Sequence, residues 1–277
     1  VTAPSSRSST GAPQVERPAP TPGLLAPKAE KVLYRALIQK QDFSQFERIA
    51  HEYPRWAPLC ATIDGLLAYQ GGDIERAERG LDAAFRSGED SAAHPFMQKY
   101  AGASTVTLEL ANGVSVTMPI GREAVGLTLA ELYQATGRLT QAIEVVEHLD
   151  PTFTAAVSLA ELYSDAGRSP DVIELTNGIT NESDAHAFLL VLRARALREL
   201  GMFDAAHETL KEAMRRRSVD PEIRRRGYLE RANNHLAQGH RARARKDLER
   251  IFAEDANYPG IREAMTALDA EMRSSGR

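Results

Sequence analysis

Cysteine is almost missing from this chain of 277 residues: the single thiol, Cys60, cannot close an internal disulfide or build a Cys-based zinc site. Aromatic residues are also scarce, at 6%. The 43% of apolar residues must therefore form a core of Leu, Ala, Val and Ile rather than of rings. No apolar run nears the roughly 20 residues of a spanning helix. No apolar leader of a secretory signal opens the chain, so a cytoplasmic location and no membrane span are expected. Net charge is only -4, with no global pull toward nucleic acid or an anionic membrane. A Walker-type phosphate loop, GxGxxG, GxSxG and HExxH are all lacking. The histidines (His51, His94, His148, His186, His207, His235, His240) are scattered. His235 and His240, five apart, do not share a helical face and read as surface or packing residues. Cys60 reads as a buried structural thiol. These absences predict no enzyme, no catalytic residue, no cofactor and no metal.

Six of the fourteen prolines fall in residues 1–27, VTAPSSRSSTGAPQVERPAPTPGLLAP. Such a stretch cannot bury enough surface to offset the entropy of ordering, and disorder is expected. It reads either as a linker from an upstream module, which would suit a chain opening on Val1, or as a loose terminus.

From Lys28 the texture changes to helix, with apolar residues three and four apart. Gly72, Gly137, Gly167, Gly201 and Gly239 each close an apolar-periodic stretch. Five residues after them stand Ala77, Ala142, Val172, Ala206 and Ala244. Four further on come Leu81, Val146, Thr176, Leu210 and Leu248. Seven residues before each glycine is a small residue: Gly65, Ala130, Ala160, Ala194 or Ala232. Four before it lies Ala68, Tyr133, Tyr163, Leu197 or His235. The pattern is helix, glycine turn, helix. Glycine leaves the first helix at positive φ, and small residues at fixed offsets let the paired helices approach.

The glycine spacings are 65, 30, 34 and 38 residues, a period near 34 with one repeat replaced. AELYQATGRLTQAIEVV, AELYSDAGRSPDVIEL, ALRELGMFDAAHETLKEAM and HLAQGHRARARKDLERI resemble the tetratricopeptide repeat family. The likeness covers roughly residues 30–270. From Leu33 to Ile261 the chain also resembles uncharacterised bacterial repeat proteins that carry such an array after a Pro/Ala-rich linker. The resemblance implies an all-α superhelix of six or so helix pairs over 28–277. KVLYRALIQKQDFSQFERIAHEYP reads as a degenerate first pair, with Gln41-Asp42 in place of the glycine turn. A capping helix is expected at about 260–273. Asp73, Ser169 before Pro170, and Asp220 before Pro221 suit helix N-caps.

The long gap holds TVTLELANGVSVTMP, residues 105–119, whose alternation and Asn112-Gly113 predict a β-hairpin inserted at 104–120. A three-residue loop, Ala111 to Gly113, would pair Leu110–Val114, Leu108–Val116 and Val106–Met118 and put all six on one face. The hairpin is expected where the missing repeat's second helix would stand. Its role reads as packing, with a dimer edge or a lid on the groove as alternatives.

Charge is uneven: residues 101–184 carry three basic against twelve acidic side chains, and residues 211–250 thirteen against six. Arg215, Arg216, Arg217 and then Arg224, Arg225, Arg226 cluster in the second block. A solvated face with local ion pairs is the plain reading. The family resemblance implies that the first helix of each pair lines the inner surface. It also implies that positions six and three before each glycine face inward: Glu131 and Gln134, Glu161 and Ser164, Arg195 and Arg198, Asn233 and Leu236. Arg226 lies on the same face as Asn233. The expected function is a non-catalytic scaffold holding a segment of a protein or peptide partner on this concave face. The alternatives are contact of the arginine block with a nucleic-acid or other polyanion backbone, and a self-association or spacer module.

Overall fold

The computed structural model describes residues 20–40, 43–102, 104–111 and 113–275. Residues 1–19, Gln41-Asp42 and Asn112, on which three of the expectations above fall, lie outside the described residues. Helix α1 (Lys28–Tyr34) runs on as a wider turn over Arg35–Lys40, and α2 (Phe46–Glu52) returns against it. Five helix pairs form the body. They are α3 (Ala57–Gln70) with α4 (Ile74–Ser87), α5 (Arg122–Ala135) with α6 (Leu139–Glu147), and α7 (Phe153–Asp165) with α8 (Ser169–Leu175). Then come α9 (Asp184–Glu199) with α10 (Phe203–Ala213) and α11 (Pro221–Ala237) with α12 (Arg241–Glu254). Helix α13 (Ile261–Ser275) packs on α12 and closes that end. Among the described residues no helix is long and apolar enough to cross a membrane.

The glycine pattern is the skeleton of the fold. Gly72, Gly137, Gly167, Gly201 and Gly239 all have φ between 69° and 78°. Each donates its N–H three residues back, and the following residue donates five back, as Arg138 does to the Tyr133 carbonyl at 2.8 Å. This double bond satisfies the last carbonyls of the first helix. All five residues at the first offset after the turn, Ala77 through Ala244, are 0% exposed. The small residues before the turn are buried too, and at Gly65 an added Cβ would lie 2.8 Å from the Leu81 nitrogen. Any side chain there would push α3 and α4 apart. Asp73 and Asp220 cap their helices as expected, accepting from the N–H groups of Arg76 (3.2 Å) and Glu222 (2.8 Å). Ser169 does not cap: it is the first residue of α8, and its hydroxyl donates to Glu199 at 2.6 Å.

Strands β1 (Thr105–Ala111) and β2 (Val114–Pro119) form the hairpin. Val106–Met118 and Leu108–Val116 pair as predicted, and Gly113 takes φ 85°. The connection differs: Ala111, not Leu110, faces Val114, and a bulge at Leu110 absorbs the extra residue. Small Ala111 goes down into the core, while Leu110 is half-buried and packs against its margin. The hairpin's place is also corrected. It does not stand in for a second helix but lies flat across first helices, with β1 on α5 and α7 and β2 on α9. Its tip reaches α11, where a Cβ on Gly113 would lie 2.7 Å from the Asp220 carboxylate. The reason is apolar demand. Ala124–Ala130 of α5 and Ala187–Leu192 of α9 are buried without a break, on every side of the helix. One side is covered by the partner helix, and the inner side needs the hairpin.

Candidate functional site

First helices α5, α7, α9 and α11 stand side by side with their chains running in one direction, each packed on the next. The hairpin covers the N-terminal halves of their inner face. The C-terminal halves remain, and these carry the residues six and three positions before the turn glycines. A cleft of about 230 Å³ opens where β1 borders this strip, lined by Glu109, Leu110, Ala111, Glu131, Gln134 and Glu161.

Glu131 is half-buried below β1. Burial pushes its carboxyl above the usual range, Tyr69 pulls it back by a hydrogen bond, and the Glu109 charge raises it again. Neither carboxylate has a basic partner within ion-pair distance among the described residues. Gln134 donates to Asp165 at 2.9 Å, tying α5 to α7. Arg195 reaches Asp165 at 3.8 Å and Glu199 at 3.0 Å. Arg198 bonds Glu230 on α11 at 3.2 Å. Burial pushes the Glu199 carboxyl up, but bonds from Ser169 and Arg195 outweigh it and hold it below its ordinary value. Asn233 is half-buried with no side-chain hydrogen bond among the described residues, and Leu236 is exposed.

Two of the expected groove residues meet in a way the sequence did not suggest. Arg226 of α11 reaches across α9 and donates to Glu161 of α7 at 3.0 Å, with its guanidinium 4.8 Å from the Phe188 ring centroid. Burial pushes the Glu161 carboxyl up and Arg226 pulls it down, leaving it raised. These two groups serve each other. Ser164 corrects the expectation most clearly: it is 4% exposed and presents nothing to an incoming chain. Sequence reasoning passed over Glu109 and Leu110 of β1, and Asp165, Glu199 and Glu230. The available signal was spacing: Arg198 and Glu230 lie about one repeat apart, at 32 residues.

Much of the arginine block is engaged within the chain, Arg224 by the Val219 carbonyl and others by carboxylates. Arg215, Arg216 and Arg225 pair with Glu212, Asp184 and Glu222, and Arg231 pairs with Asp247 at 2.5 Å. These cations answer the chain's own carboxylates, and a nucleic-acid backbone would have to displace them. The fold does gather His207, His235 and His240, with ring centroids 5.8 and 6.2 Å apart. Among the described residues, however, no group of three His, Cys, Asp or Glu could hold a metal ion. Cys60 is buried, and burial, with Asp64 adding to it, pushes its thiol up to about 12.

The raised Glu131 carboxyl gives a stability prediction. A carboxyl whose folded value lies above its unfolded one favours the fold below the unfolded value, and that contribution is lost as pH rises through the folded value. Glu131→Gln therefore melts higher than the parent at pH 7, and the two melts converge as pH falls below 4.5, the ordinary carboxyl value. Thermal unfolding across pH 4–8 checks it; a gap constant with pH would refute it.

Comparisons with known proteins agree with this architecture. No curated protein matches the chain. The N-terminal domain of the EccA1 ATPase from the ESX-1 secretion system of Mycobacterium tuberculosis superposes with a TM-score of 0.56 at 17% identity, over 86% of this chain and 87% of that one. BtubC (BKLC) from P. vanneervenii gives 0.49 at 16% identity, over 87% of this chain and 93% of that one. A putative kinesin light chain of nearly identical TPR-like repeats from Podosopora anserina gives 0.45 at 20% identity, over 72% and 95%. The chain is thus a tetratricopeptide-like helical array with one inserted β-hairpin. A family model described as "T7SS, ESX-1 secretion system protein EccA1, N-terminal domain" matches residues 102–273, from the hairpin to the last helix, and the chain belongs to that family.

Proposed function

We propose that the chain is a non-catalytic protein-binding module of an ESX-type secretion component, holding a segment of another protein along the open strip of its inner wall. One observation carries this. The hairpin lies on the apolar half of the wall and borders a polar cleft lined by Glu109, Glu131, Gln134 and Glu161, while the ends of α9 and α11 beyond it carry Arg195, Arg198 and Asn233. Glu161 and Arg226 act behind them as a fixed pair. Polar side chains on a rigid, curved wall can recognise an extended chain without prior rearrangement.

Charge reversal at Arg198 is a poor test, because it would set a new carboxylate beside Glu230 and Glu199. Bulk at half-exposed positions is cleaner. Gln134→Trp and Asn233→Trp should each weaken a partner captured from the native cell at least tenfold, about 1.4 kcal/mol. Melting should change little, since neither side chain is core. Pull-down with mass spectrometry names the partner, and titration with both variants reads the loss. Unchanged affinity in both variants would place the binding surface elsewhere.

A further inference from the structure

We propose that the open edge of β1 is a strand-addition site for an extended, Lys- or Arg-bearing segment of a partner protein. The inference rests on the inner-wall reading above and specifies how that wall is used.

The backbone supplies the first argument. The sheet has two strands, so β1 pairs on one side only. Pro119 has no N–H, so Thr105–Pro119 is a pair without ladder bonds, and the neighbouring Ile120 N–H donates to Ser104 at 3.4 Å. Bonded and non-bonded pairs alternate in an antiparallel ribbon. Thr107–Thr117 and Glu109–Ser115 are therefore also non-bonded pairs, and the N–H and C=O of Thr107 and Glu109 point out from the ribbon. Outside the ribbon neither N–H finds a backbone partner among the described residues. Open strand edges are templates for another chain, and small proteins usually blunt them. Here the bulge at Leu110 lies next to the edge without closing it, and the cleft of about 230 Å³ runs beside it.

Charge selects the occupant. Glu109 comes from the strand and Glu131 from the floor, and both lack a basic partner among the described residues while the Glu109 charge raises the cost of ionising Glu131. Glu161, a third lining residue, is already answered by Arg226. A strand laid along β1 would point every second side chain down toward Glu131, and one basic side chain there would answer that carboxylate within the field of the Glu109 charge. A second copy of this chain fits badly, because its β1, Thr105–Ala111, carries no basic side chain and would add another Glu109 to the edge. Thr107 and Thr117, joined on the outer face at 2.8 Å, leave that face polar.

The test is a phage-displayed library of random heptapeptides panned against the full chain, with enriched peptides then labelled and measured by fluorescence anisotropy. The expected peptides carry Lys or Arg at one fixed position. Changing it to Glu lowers affinity at least tenfold. Backbone N-methylation at one alternating set of residues does the same, while the other set is neutral. Glu109→Gln with Glu131→Gln in the chain weakens binding at least fivefold without lowering the melting temperature. Peptides that Asn233→Trp or Gln134→Trp displaces, but that tolerate both methylation sets or need no basic residue, overturn strand addition and leave the inner-wall reading intact. Peptides indifferent to both Trp variants overturn the wall as well, and a failure to enrich any peptide counts against strand addition. A dimer in sedimentation that Thr107→Pro dissolves would give the edge to a second copy and overturn the proposal.

Discussion

Arg226→Met destabilises the chain by about 3–5 kcal/mol at pH 7, the usual cost of stranding one member of a buried ion pair. Its guanidinium lies 3.0 Å from Glu161, and both side chains are mostly buried, at 21% and 14% exposure. Methionine keeps much of the packing on Phe188, so what is lost is mainly the charge. The Glu161 carboxylate then faces burial with only the weaker Arg195 charge to offset it, and Asp165 nearby adds to the penalty. Acidification should relieve it. Glu161 already titrates above the ordinary 4.5, and without Arg226 its value climbs further. The deficit is thus largest at high pH and shrinks as pH falls and Glu161 takes up a proton. Adding Glu161→Gln should recover most of the loss, since the pair can be replaced by neutral groups even where half of it cannot be removed. Urea unfolding of the two single variants and the double variant measures the coupling. A deficit below about 1 kcal/mol, typical of an exposed pair, would show that the contact is solvated. The pair also joins α7 to α11 over α9, a reach of 65 residues.

The helix-turn-helix frame was legible because its constraints are local and stereochemical. Only glycine takes the left-handed turn at low cost, and only a small residue such as Ala130 or Ala142 fits where two helices touch. Two hairpin pairs were legible because alternation assigns a face. The bulge was not. Near the tip the choice between Leu110 and Ala111 is made by the surface below, and a bulky Leu has less room there than Ala. The docking site had a readable signature in AFLLVL, residues 187–192: a helix apolar all round must be buried all round, and its second helix can cover only one side. Offsets from the glycine put Glu131, Gln134, Arg195, Arg198 and Asn233 on the last turns of their helices. Those offsets give direction and not depth. Ser164 points the same way from a more deeply covered turn, and Glu161 and Arg226 find each other across an intervening helix. Such pairs depend on superhelical curvature, which no local pattern encodes.

Leu108→Ala carries the other large effect, about 2–5 kcal/mol, the range for truncating a buried leucine. Leu108 is 3% exposed, and it faces the inner wall beside Leu127 while pairing with Val116. The size of the loss separates two roles for the hairpin. If it were a hinged lid over a finished wall, truncation would free the strands alone. Hydrogen exchange would then accelerate in β1 and β2 while α5, α7 and α9 kept their protection and their melting temperature. Packing predicts the opposite. Ala124–Ala130 and Ala187–Leu192 have no polar inner side to show to water, so lifting the hairpin exposes apolar surface on both partners at about 25 cal/mol per Å². Protection should therefore fall together in the strands and in α5 to α9, and the helical melt should move with it. A cooperative loss also bears on binding. An edge held down by the same contacts that hold the wall is already ordered when a partner arrives, and the incoming chain has only its own backbone to fix.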